Sequence, residues 1–383
     1  MKKQVIIIGG GIVGSTAAFY LSQEEQIDLT LIDSGVGTAT RAAAGIICPW
    51  MAQKKNKDWY KLTSDGAVFY RQLVADLEKS GAAEIPFKQT GTIGLKSKPE
   101  LLDKIQKIAE DRRVDTPTIG KITPLIGAEI NQYLPPLKPD FFGIHLEGGG
   151  RIDGGRLIDI LQEQVLKNGG ALLQGQAKLL DANTVEVEHQ VLSADHIVLA
   201  TGAWLPHILE PLGYQVDVRP QKGQLLELDT EFDTDDWPVC MPYGEIDILP
   251  FENGKIIIGA THEDDMGYDL ELDPEKIQAM HDKIAEFMPD LANYPVARTR
   301  IGTRAYTSTY SPFYGNIEDM PNVWVASGLG STGLTNGPII GWQIANEILG
   351  YETNFDRTPY SPNNYIKRVK NCTDPKKLDK KYY

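Results

Sequence analysis

The first part of the chain alternates between short apolar runs and a segment with helical spacing. Residues 5–8 form a continuous β-branched run, Val-Ile-Ile-Ile, which is typical of a strand buried on both faces of a parallel sheet. Residues 11–23 predict a helix, and residues 29–32 predict a second strand. Ala17 and Ala18 are small enough for this helix to pack closely on the sheet. Together the three segments predict a βαβ unit of about 30 residues.

The same two patterns recur further along the chain. Apolar residues at helical spacing predict four more helices, at residues 58–79, 101–109, 156–167 and 334–349. β-branched and apolar runs predict buried strands at residues 197–200 and 323–326. Between residues 223 and 260, short apolar segments are separated by Gly and Pro, which predicts a largely antiparallel sheet. The chain therefore combines a parallel α/β part with an antiparallel part.

Composition and charge narrow the class of protein. The chain has 383 residues, enough for two or three domains, and 42% of them are hydrophobic, as in ordinary globular proteins. Its 38 basic and 52 acidic residues give a net charge of −14, so nucleic acid and anionic membrane surfaces are not expected partners. Residues 367–381 are rich in lysine, which predicts a solvated helix or a frayed tail. The sequence leaves the oligomeric state open.

Cysteine and histidine spacing predicts no metal site. Cys48, Cys240 and Cys372 lie far apart, which favours neither a disulfide framework nor a zinc site and suits a reducing cytosol. The run His-Glu-Asp-Asp at residues 262–265 has the residue types of a metal site. Acidic runs at strand ends are usually solvated turns, so we expect no metal there.

The amino terminus imitates a signal peptide or a short membrane anchor. Lys2 and Lys3 precede an uncharged run at residues 5–21. Three consecutive glycines, at residues 9–11, interrupt this run where an anchor would be most apolar. A strand, a glycine turn and a helix explain the same residues completely. We therefore predict no membrane span and a cytoplasmic location.

Glycines at positions 9, 11 and 14 form the pattern G-x-G-x-x-G between the first strand and the first helix. The first glycine permits a tight turn, the second lets a pyrophosphate approach the backbone, and the third lets helix and strand pack closely. Asp33 ends the second strand, where a carboxylate accepts hydrogen bonds from ribose hydroxyls and repels a ribose phosphate. The segment predicts a bound dinucleotide other than NADP. The motif alone does not separate NAD from FAD, but its place at the start of a long chain with later buried strands favours FAD.

Beyond the glycine turn, further short segments follow one another in a recognisable order. They are residues 41–47 (Arg-Ala-Ala-Ala-Gly-Ile-Ile), 150–153 (Gly-Arg-Ile-Asp), 197–204 (ending Ala-Thr-Gly-Ala-Trp), 220–224 (Pro-Gln-Lys-Gly-Gln), 302–304 (Gly-Thr-Arg) and 328–333 (Gly-Leu-Gly-Ser-Thr-Gly). As an ordered set they resemble the D-amino-acid oxidase-like family of FAD-dependent oxidoreductases, which includes glycine oxidase, sarcosine oxidase and D-amino-acid dehydrogenases. The resemblance extends to about residue 365.

This resemblance implies the fold class and the domain organisation. The expected fold is α/β and α+β, with a Rossmann-like FAD-binding domain interleaved with a largely antiparallel substrate domain. The FAD-binding domain would be discontinuous, comprising residues 1–85, 147–220 and 315–365. Residues 86–146 and 221–314 would form the substrate-binding domain, and residues 366–383 would form a basic C-terminal tail.

The resemblance also implies an extended FAD. Its pyrophosphate would lie on the glycine turn, its adenosine ribose beside Asp33 and its adenine beside Ala177. The N–H groups of residues 328–333 would face the flavin N1/C2=O edge, where fixed positive dipoles favour reduction. The residues expected to contact FAD are Gly9, Gly11, Ile12, Val13, Gly14, Asp33, Ser34, Thr40, Arg41, Ala42, Ala44, Gly45, Ile46, Ala177, Thr201, Gly202, Trp204, Gly302, Gly328, Gly330, Ser331, Thr332, Gly333 and Leu334.

Arginine at position 304 is the expected substrate-binding residue. In the family an arginine here holds the carboxylate of the amino acid, and a guanidinium fork pairs bidentately with such a group. Arg298 and Arg300 are rivals, because on a strand all three side chains would share one face. Covalent relatives attach FAD through a cysteine near the position that Arg304 fills. The cysteines of this chain lie elsewhere, so a non-covalent FAD is expected.

Tyrosines offer further candidates for the substrate pocket. Tyr243 and Tyr306, together with Tyr268, are expected to close over a substrate carboxylate with their hydroxyls. Ile248 and Leu249 fall where members resembling glycine oxidase carry a polar or aromatic residue. This departure predicts a more apolar pocket and puts glycine itself in doubt as the substrate.

The leading functional hypothesis is an FAD-dependent oxidoreductase of amino acids. It would oxidise the C–N bond of a D-amino acid, glycine or an N-alkyl amino acid by hydride transfer to flavin N5, giving an imine that hydrolyses. The electrons would pass to O₂ or to another carrier. Two alternatives stay open at this stage: an FAD-dependent hydroxy-acid or glycerol-phosphate dehydrogenase, and a non-catalytic flavin-binding subunit.

Overall fold

The computed structural model describes residues 2–54, 56–244 and 246–369 of the chain. The described residues form 22 strands, which are β1 (Lys3–Ile8), β2 (Ile27–Asp33), β3 (Ile46–Ile47), β4 (Phe87–Lys88), β5 (Thr92–Lys96), β6 (Ile122–Ile126), β7 (Phe142–Leu146), β8 (Gly150–Ile152), β9 (Ala171–Gln174), β10 (Ala177–Leu179), β11 (Thr184–Val187), β12 (Gln190–Ser193), β13 (His196–Leu199), β14 (Tyr214–Val216), β15 (Arg219–Asp229), β16 (Val239–Met241), β17 (Asp247–Pro250), β18 (Lys255–Gly259), β19 (Val296–Tyr306), β20 (Phe313–Ile317), β21 (Met320–Ser327) and β22 (Ile366–Arg368).

The same residues form eight α-helices, which are α1 (Ile12–Ser22), α2 (Ala39–Ala42), α3 (Lys57–Lys79), α4 (Pro99–Asp115), α5 (Gly154–Lys167), α6 (Leu205–Leu209), α7 (Pro274–Ile284) and α8 (Gly333–Leu349). Each helix that the apolar spacing predicts is present. Helix α4 extends beyond the predicted residues 101–109 at both ends, because only Leu102, Ile105 and Ala109 are buried and the polar ends carry no apolar spacing.

A mainly parallel sheet of six strands carries the first βαβ unit within the described chain. Its strand order is β20-β21-β13-β1-β2-β9, and neighbouring strands are parallel except for the antiparallel pair of β20 and β21. Strand β1 lies inside the sheet, with Ile6 opposite Ile197 on one side and Thr30 on the other. The carboxyl ends of β1, β2, β13 and β21 therefore meet at one edge, the usual place for a ligand in an α/β sheet.

Helices α1 and α8 pack directly against one another beside this sheet. A Cβ built on Gly341 of α8 would stand 2.5 Å from the carbonyl oxygen of Val13, and one on Gly337 would stand 2.4 Å from Ile12 Cγ2. Only glycine leaves room for such a close approach. The contact brings the amino-terminal ends of the two helices close together.

A second large sheet, mainly antiparallel, takes its strands from residues 92–146 and 219–306. In the described residues its order is β19-β15-β18-β17-β16-β5-β7-β6, with β16 and β5 as its parallel pair. The prediction of a largely antiparallel sheet is confirmed. One face packs on α7, where Leu226, Ile258 and Ile277 belong to one buried cluster. The long strands β15 and β19 pair with Gln221 opposite Arg304 and Gly223 opposite Gly302.

Three smaller sheets complete the described fold: β10-β11-β12, β3-β8-β4 and β14-β22. Residues 366–368, which the sequence assigns to a basic tail, form β22 and pair with β14. The remainder of the predicted tail, residues 370–383, lies outside the described residues. No helix within the described ranges is both long enough and apolar enough to cross a membrane.

Candidate cofactor and substrate site

The glycine turn after β1 has the close approaches that its pattern predicts. Gly9 has a φ of +106°, and a Cβ there would stand 2.4 Å from the carbonyl oxygen of Ala200. A Cβ on Gly14 would stand 1.9 Å from the carbonyl oxygen of Gly9. Gly11, the residue before α1, is different, because a Cβ there would meet only Thr40 Oγ1 at 3.5 Å. Gly9 and Gly14 are thus required by packing, whereas Gly11 leaves space open for a ligand.

Asp33 ends β2 and presents its carboxylate to the same space. Its two oxygens accept hydrogen bonds from the backbone N–H groups of Gly10 and Gly35. These bonds fix the orientation of the carboxylate, which lines the cavity beside the glycine turn. A fixed anionic acceptor in this place suits ribose hydroxyls.

A cavity of about 480 Å³ opens along the carboxyl ends of the parallel strands. The wall includes the ends of β1 and β2, the segment 200–204, and the residues Ala326, Ser327, Leu329 and Gly330. The residues predicted to bind FAD that line this cavity are Gly9, Gly11, Ile12, Val13, Asp33, Ser34, Thr40, Ala177, Thr201, Gly202, Trp204, Gly330 and Gly333. Trp204 closes one side, since a Cβ on Gly37 would stand 2.1 Å from its indole Cη2.

A second cavity of about 170 Å³ lies against the antiparallel sheet. Both cavities are lined by Ala39, Thr40, Gly330 and Gly333, so they adjoin. The predicted residues that line the second cavity are Thr40, Ala42, Ala44, Gly45, Ile46, Gly302, Arg304, Gly330, Ser331, Gly333 and Leu334. The structure thus brings most of the predicted cofactor residues and the predicted substrate arginine into one continuous region.

Arg304 lines the second cavity, and only the Nη1 atom of its guanidinium donates hydrogen bonds to other described residues. Its Nη1 donates to Gln221 Oε1 (3.0 Å) and to the carbonyl oxygen of Thr261 (2.9 Å). Among the described residues, no carboxylate lies within 4.0 Å of this guanidinium, and burial lowers its pKa from the ordinary value. Such a group matches an incoming carboxylate.

The two rival arginines on β19 are already paired. Arg300 Nε donates to Glu227, and Arg298 Nη1 lies 3.5 Å from the same carboxylate. Arg298 is also largely solvent-exposed, and neither side chain lines the second cavity. The contacts in the structure therefore distinguish Arg304 from Arg298 and Arg300, which strand alternation alone could not do.

Four of the residues predicted to contact FAD line neither cavity in the described structure: Gly14, Arg41, Gly328 and Thr332. Gly14 is enclosed by the packing of the turn, the Arg41 side chain turns away to Asp159 (2.7 Å), and a Cβ on Gly328 would stand 2.7 Å from Thr307 Cγ2. Thr332 bonds to the carbonyl oxygen of Leu329 at 3.0 Å.

Tyr243 and Tyr306, two of the tyrosines predicted for the substrate pocket, line neither cavity. The Tyr306 hydroxyl accepts a hydrogen bond from the backbone N–H of Ser331 at 3.1 Å, so it supports the turn before α8. Tyr243 is 43% exposed and packs edge-on against the rings of Phe141 and Phe287. Tyr268, the third candidate, donates to the carbonyl oxygen of Ala203 at 2.9 Å.

The lining of the second cavity includes residues that the sequence analysis did not predict as site residues, among them Gly223, Asp247 and His262. Sequence reasoning pointed instead to Ile248 and Leu249, whose side chains are fully buried in apolar clusters beside the cavity. The residue of β17 that lines the cavity is Asp247, so the pocket is not purely apolar. Nothing in the local sequence marks Asp247, because its position depends on the pairing of β17 with β18.

Comparison with known proteins identifies the family to which the chain belongs. A sequence profile of the DAO family, described as FAD-dependent oxidoreductases, matches residues 4–347. The chain belongs to this family. The resemblance carried by the ordered sequence segments is confirmed, and the protein is an FAD-dependent oxidoreductase.

Individual relatives cover nearly the whole chain. The oxidoreductase YurR of Bacillus subtilis is 37% identical over 367 residues, covering 94% of this chain and 98% of its own. A glycine oxidase of Pseudomonas putida is 25% identical over 375 residues, covering 94% of this chain and 99% of its own. The crystal structure of an iminodiacetate oxidase from Chelativorans sp. BNC1 has a TM-score of 0.90 at 31% identity, covering 94% of this chain and 98% of its own.

The residues around the larger cavity fit an FAD. Asp33 supplies fixed acceptors for ribose, Gly11 leaves the backbone open, and helix α1 begins at the cavity wall. Gly330 and Gly333 lie where α8 begins, and both line the two cavities. Two helix amino termini with their N–H groups therefore border the space, as an anionic cofactor requires.

Proposed function

We propose that this DAO-family protein oxidises the C–N bond of a small amino acid, giving an imine that hydrolyses to a keto acid and an amine. The substrate class is a D-amino acid, glycine or an N-alkyl amino acid. The electrons pass on to O₂ or to another carrier. The glycine oxidases and the iminodiacetate oxidase among its relatives support this substrate class.

The observation that carries the proposal is the unpaired guanidinium of Arg304 in a cavity adjoining the cofactor cavity. A bound carboxylate there would pair with the donors that Gln221 and Thr261 leave free. The pairing fixes the orientation of the substrate as well as its position, and orientation is the main requirement for a hydride transfer. When bound, FAD supplies the hydride acceptor, so the chain need only position and enclose the substrate.

A hydrogen-bond network holds Arg304 in place. Gln221 Nε2 donates to Asp264 (3.1 Å), and the Thr261 hydroxyl donates to Glu263 (2.6 Å). Burial acts to raise the pKa of Glu263, but hydrogen bonds from Gln224, Lys276 and Thr261 outweigh it and leave the pKa below its ordinary value. Glu263 therefore stays ionised and anchors the backbone that orients Arg304. Its own neighbours are Lys276 (2.6 Å) and Gln224 (2.7 Å).

The predicted division of labour between two interleaved parts belongs to this proposal. The six-stranded sheet takes its strands from residues 3–33, 171–174, 196–199 and 313–327, and the eight-stranded sheet takes its strands from residues 92–146 and 219–306. These origins support an FAD-binding part and a substrate-binding part interleaved along the chain. We also propose that the protein is cytoplasmic.

Anaerobic reduction of the bound flavin tests the proposal. The purified holoenzyme is mixed without oxygen with glycine, sarcosine, D-alanine, D-proline and iminodiacetate, and the loss of flavin absorbance is followed. We expect at least one amine to bleach the flavin. Readmission of air then shows, by peroxide formation, whether O₂ is the acceptor.

Control compounds separate the alternatives. Glycolate, lactate and glycerol 3-phosphate represent the hydroxy-acid and glycerol-phosphate reactions, and photoreduction shows that the bound flavin can be reduced. Bleaching by a hydroxy compound alone would replace the proposal with that alternative. Photoreduction without bleaching by any compound would favour a non-catalytic flavin-binding subunit.

A further inference from the structure

Asp247 and Arg304 lie on the same face of the antiparallel sheet. Asp247 stands opposite Gly259, Gly259 opposite Leu225, and Leu225 opposite Arg300 across four neighbouring strands. Directly opposed residues point to the same face, and residues four apart on a strand do so as well. Both Asp247 and Arg304 accordingly line the second cavity.

The carboxylate of Asp247 has no partner in the described structure. No described residue donates a hydrogen bond to it or forms an ion pair with it, although it is only partly accessible to solvent. The fully buried acids nearby are different, since Glu227 pairs with Arg300 and Glu263 pairs with Lys276. An unpaired, partly buried carboxylate costs stability, and a ligand that supplies hydrogen-bond donors removes that cost.

Glycine and small apolar residues keep the space between the two charged groups open. Gly259 and Gly302 line the cavity, and a Cβ on Gly259 would stand 2.7 Å from Leu225 Cγ. Leu225 and Ala44 add apolar walls. The cavity thus carries one cationic donor group, Arg304, and one carboxyl group without a partner among the described residues, Asp247, along walls that include the apolar Leu225 and Ala44.

We infer that Asp247 is the residue that recognises the substrate amine and sets the charge that the pocket accepts. The inference rests on the proposed function, since it assigns a role within the same site. With Arg304 on the carboxylate, Asp247 accepts hydrogen bonds from the amine. A second substrate carboxylate near Asp247 would be repelled, so the pocket selects amino monocarboxylates over amino dicarboxylates.

Two ligand pairs that differ by one charged group test this assignment. Glycine and acetate differ by the amine, and iminodiacetate and sarcosine differ by the second carboxylate. Dissociation constants of the wild-type holoenzyme and the Asp247→Asn variant are measured from flavin spectral changes or, for ligands that reduce the flavin, from the concentration dependence of anaerobic reduction. Asp236→Asn is the matched control, because that acid is 93% exposed and lies outside both cavities.

In the Asp247→Asn variant we expect the affinity for glycine to fall by about tenfold, while acetate binds as tightly as in the wild type or more tightly. The preference for sarcosine over iminodiacetate should fall by a similar factor, and Asp236→Asn should leave every ratio unchanged. The role of Asp247 would be overturned if the affinities for all four ligands fell equally. It would also be overturned if neither the ratio of glycine to acetate affinity nor the ratio of sarcosine to iminodiacetate affinity changed. If acetate binds, but no amine binds and no amine reduces the flavin, the proposed function itself would be overturned. If the Asn variant does not retain flavin, Asp247→Ser gives the same readout.

Discussion

The guanidinium of Arg304 lies flat against the backbone of Gly223 on the neighbouring strand. A Cβ built on Gly223 would stand 2.7 Å from Nη1 and 2.8 Å from Cζ, closer than a van der Waals contact allows. The glycine of the segment Pro-Gln-Lys-Gly-Gln is therefore the position that leaves room for Arg304, the predicted substrate-binding arginine. Its role is steric and depends on the pairing of β15 with β19.

Replacing Gly223 by alanine should push the guanidinium out of its position without removing its charge. We expect Gly223→Ala to weaken carboxylate binding by about tenfold, or about 1.4 kcal/mol. Flavin-monitored titration with acetate measures the effect. Gly155→Ala is the control, since a Cβ there meets no heavy atom nearer than 3.3 Å. Equal affinity in wild type and Gly223→Ala would show that Arg304 does not hold the carboxylate in this position.

Removal of the arginine itself should have a larger effect. Arg304→Ala deletes the cationic partner of a desolvated carboxylate, which costs about 2 kcal/mol or more, or a factor of at least about 30 in affinity. Arg298→Ala removes a charge from the same strand, but that side chain is 61% exposed and paired with Glu227, so substrate affinity should not change. Unaltered substrate affinity in Arg304→Ala would remove this residue from the site.

The attachment of FAD can be tested by denaturation. Cys48 and Cys240 are buried and line neither cavity, while Cys372 lies outside the described residues. We expect heat or acid to release all of the flavin into the supernatant as free FAD. Yellow colour that stays with the precipitated protein would show a covalent link instead.

Asp33 provides a test of the cofactor cavity. Its carboxylate accepts from two backbone N–H groups, and asparagine has only one acceptor atom with which to replace it. We expect Asp33→Asn to weaken FAD binding by about tenfold or more, because hydrogen bonds to a charged acceptor are stronger. Fluorescence titration of the apoprotein with FAD measures this. Asp28→Asn, at the other end of β2 and bonded to Gln4, should bind FAD as the wild type does.

These residues differ in how far the sequence could predict them. Gly9, Gly14 and Asp33 belong to one short strand–turn–helix–strand segment, so their relationship is local and the motif reveals it. Family resemblance pointed to Arg304, but strand alternation could not distinguish it from Arg298 and Arg300, because it places all three arginines on one face. Their separation requires knowing that Glu227 lies on the adjacent strand.

Asp247 shows why part of the site could not be predicted. Its neighbours Ile248 and Leu249 drew attention by resemblance, yet they fill apolar clusters. Which residue of β17 lines the cavity is set by its register with β18, and a shift of one residue would turn every side chain to the other face. The placement of Tyr243 outside the cavity lining has a related reason, since a tyrosine in a loop after a strand can pack on either side.

The charge of Asp247 should also be visible in the stability of the protein. Burial raises the pKa of Asp247 to about 7, compared with about 4 for an unfolded aspartate. The folded state therefore holds this proton more tightly than the unfolded state does. As pH rises from about 4 to about 7, the wild type loses the corresponding stability, and above that range the loss is constant. Among the described titratable groups, His262 and Arg304 line the same cavity as this carboxylate, and Cys240 lies near it on the adjacent strand.

Asp247→Asn removes this titration and should melt at a higher temperature than the wild type at pH 8, with the difference shrinking toward pH 4. Thermal melts of both holoproteins across this range, with FAD in excess, measure the difference. Asp236→Asn should follow the wild-type curve, because that exposed carboxylate has little differential solvation to lose. A wild-type stability that matches Asp247→Asn at every pH would mean that the carboxylate is already solvated or paired. In that case it would carry no unfavourable charge for a substrate amine to neutralise.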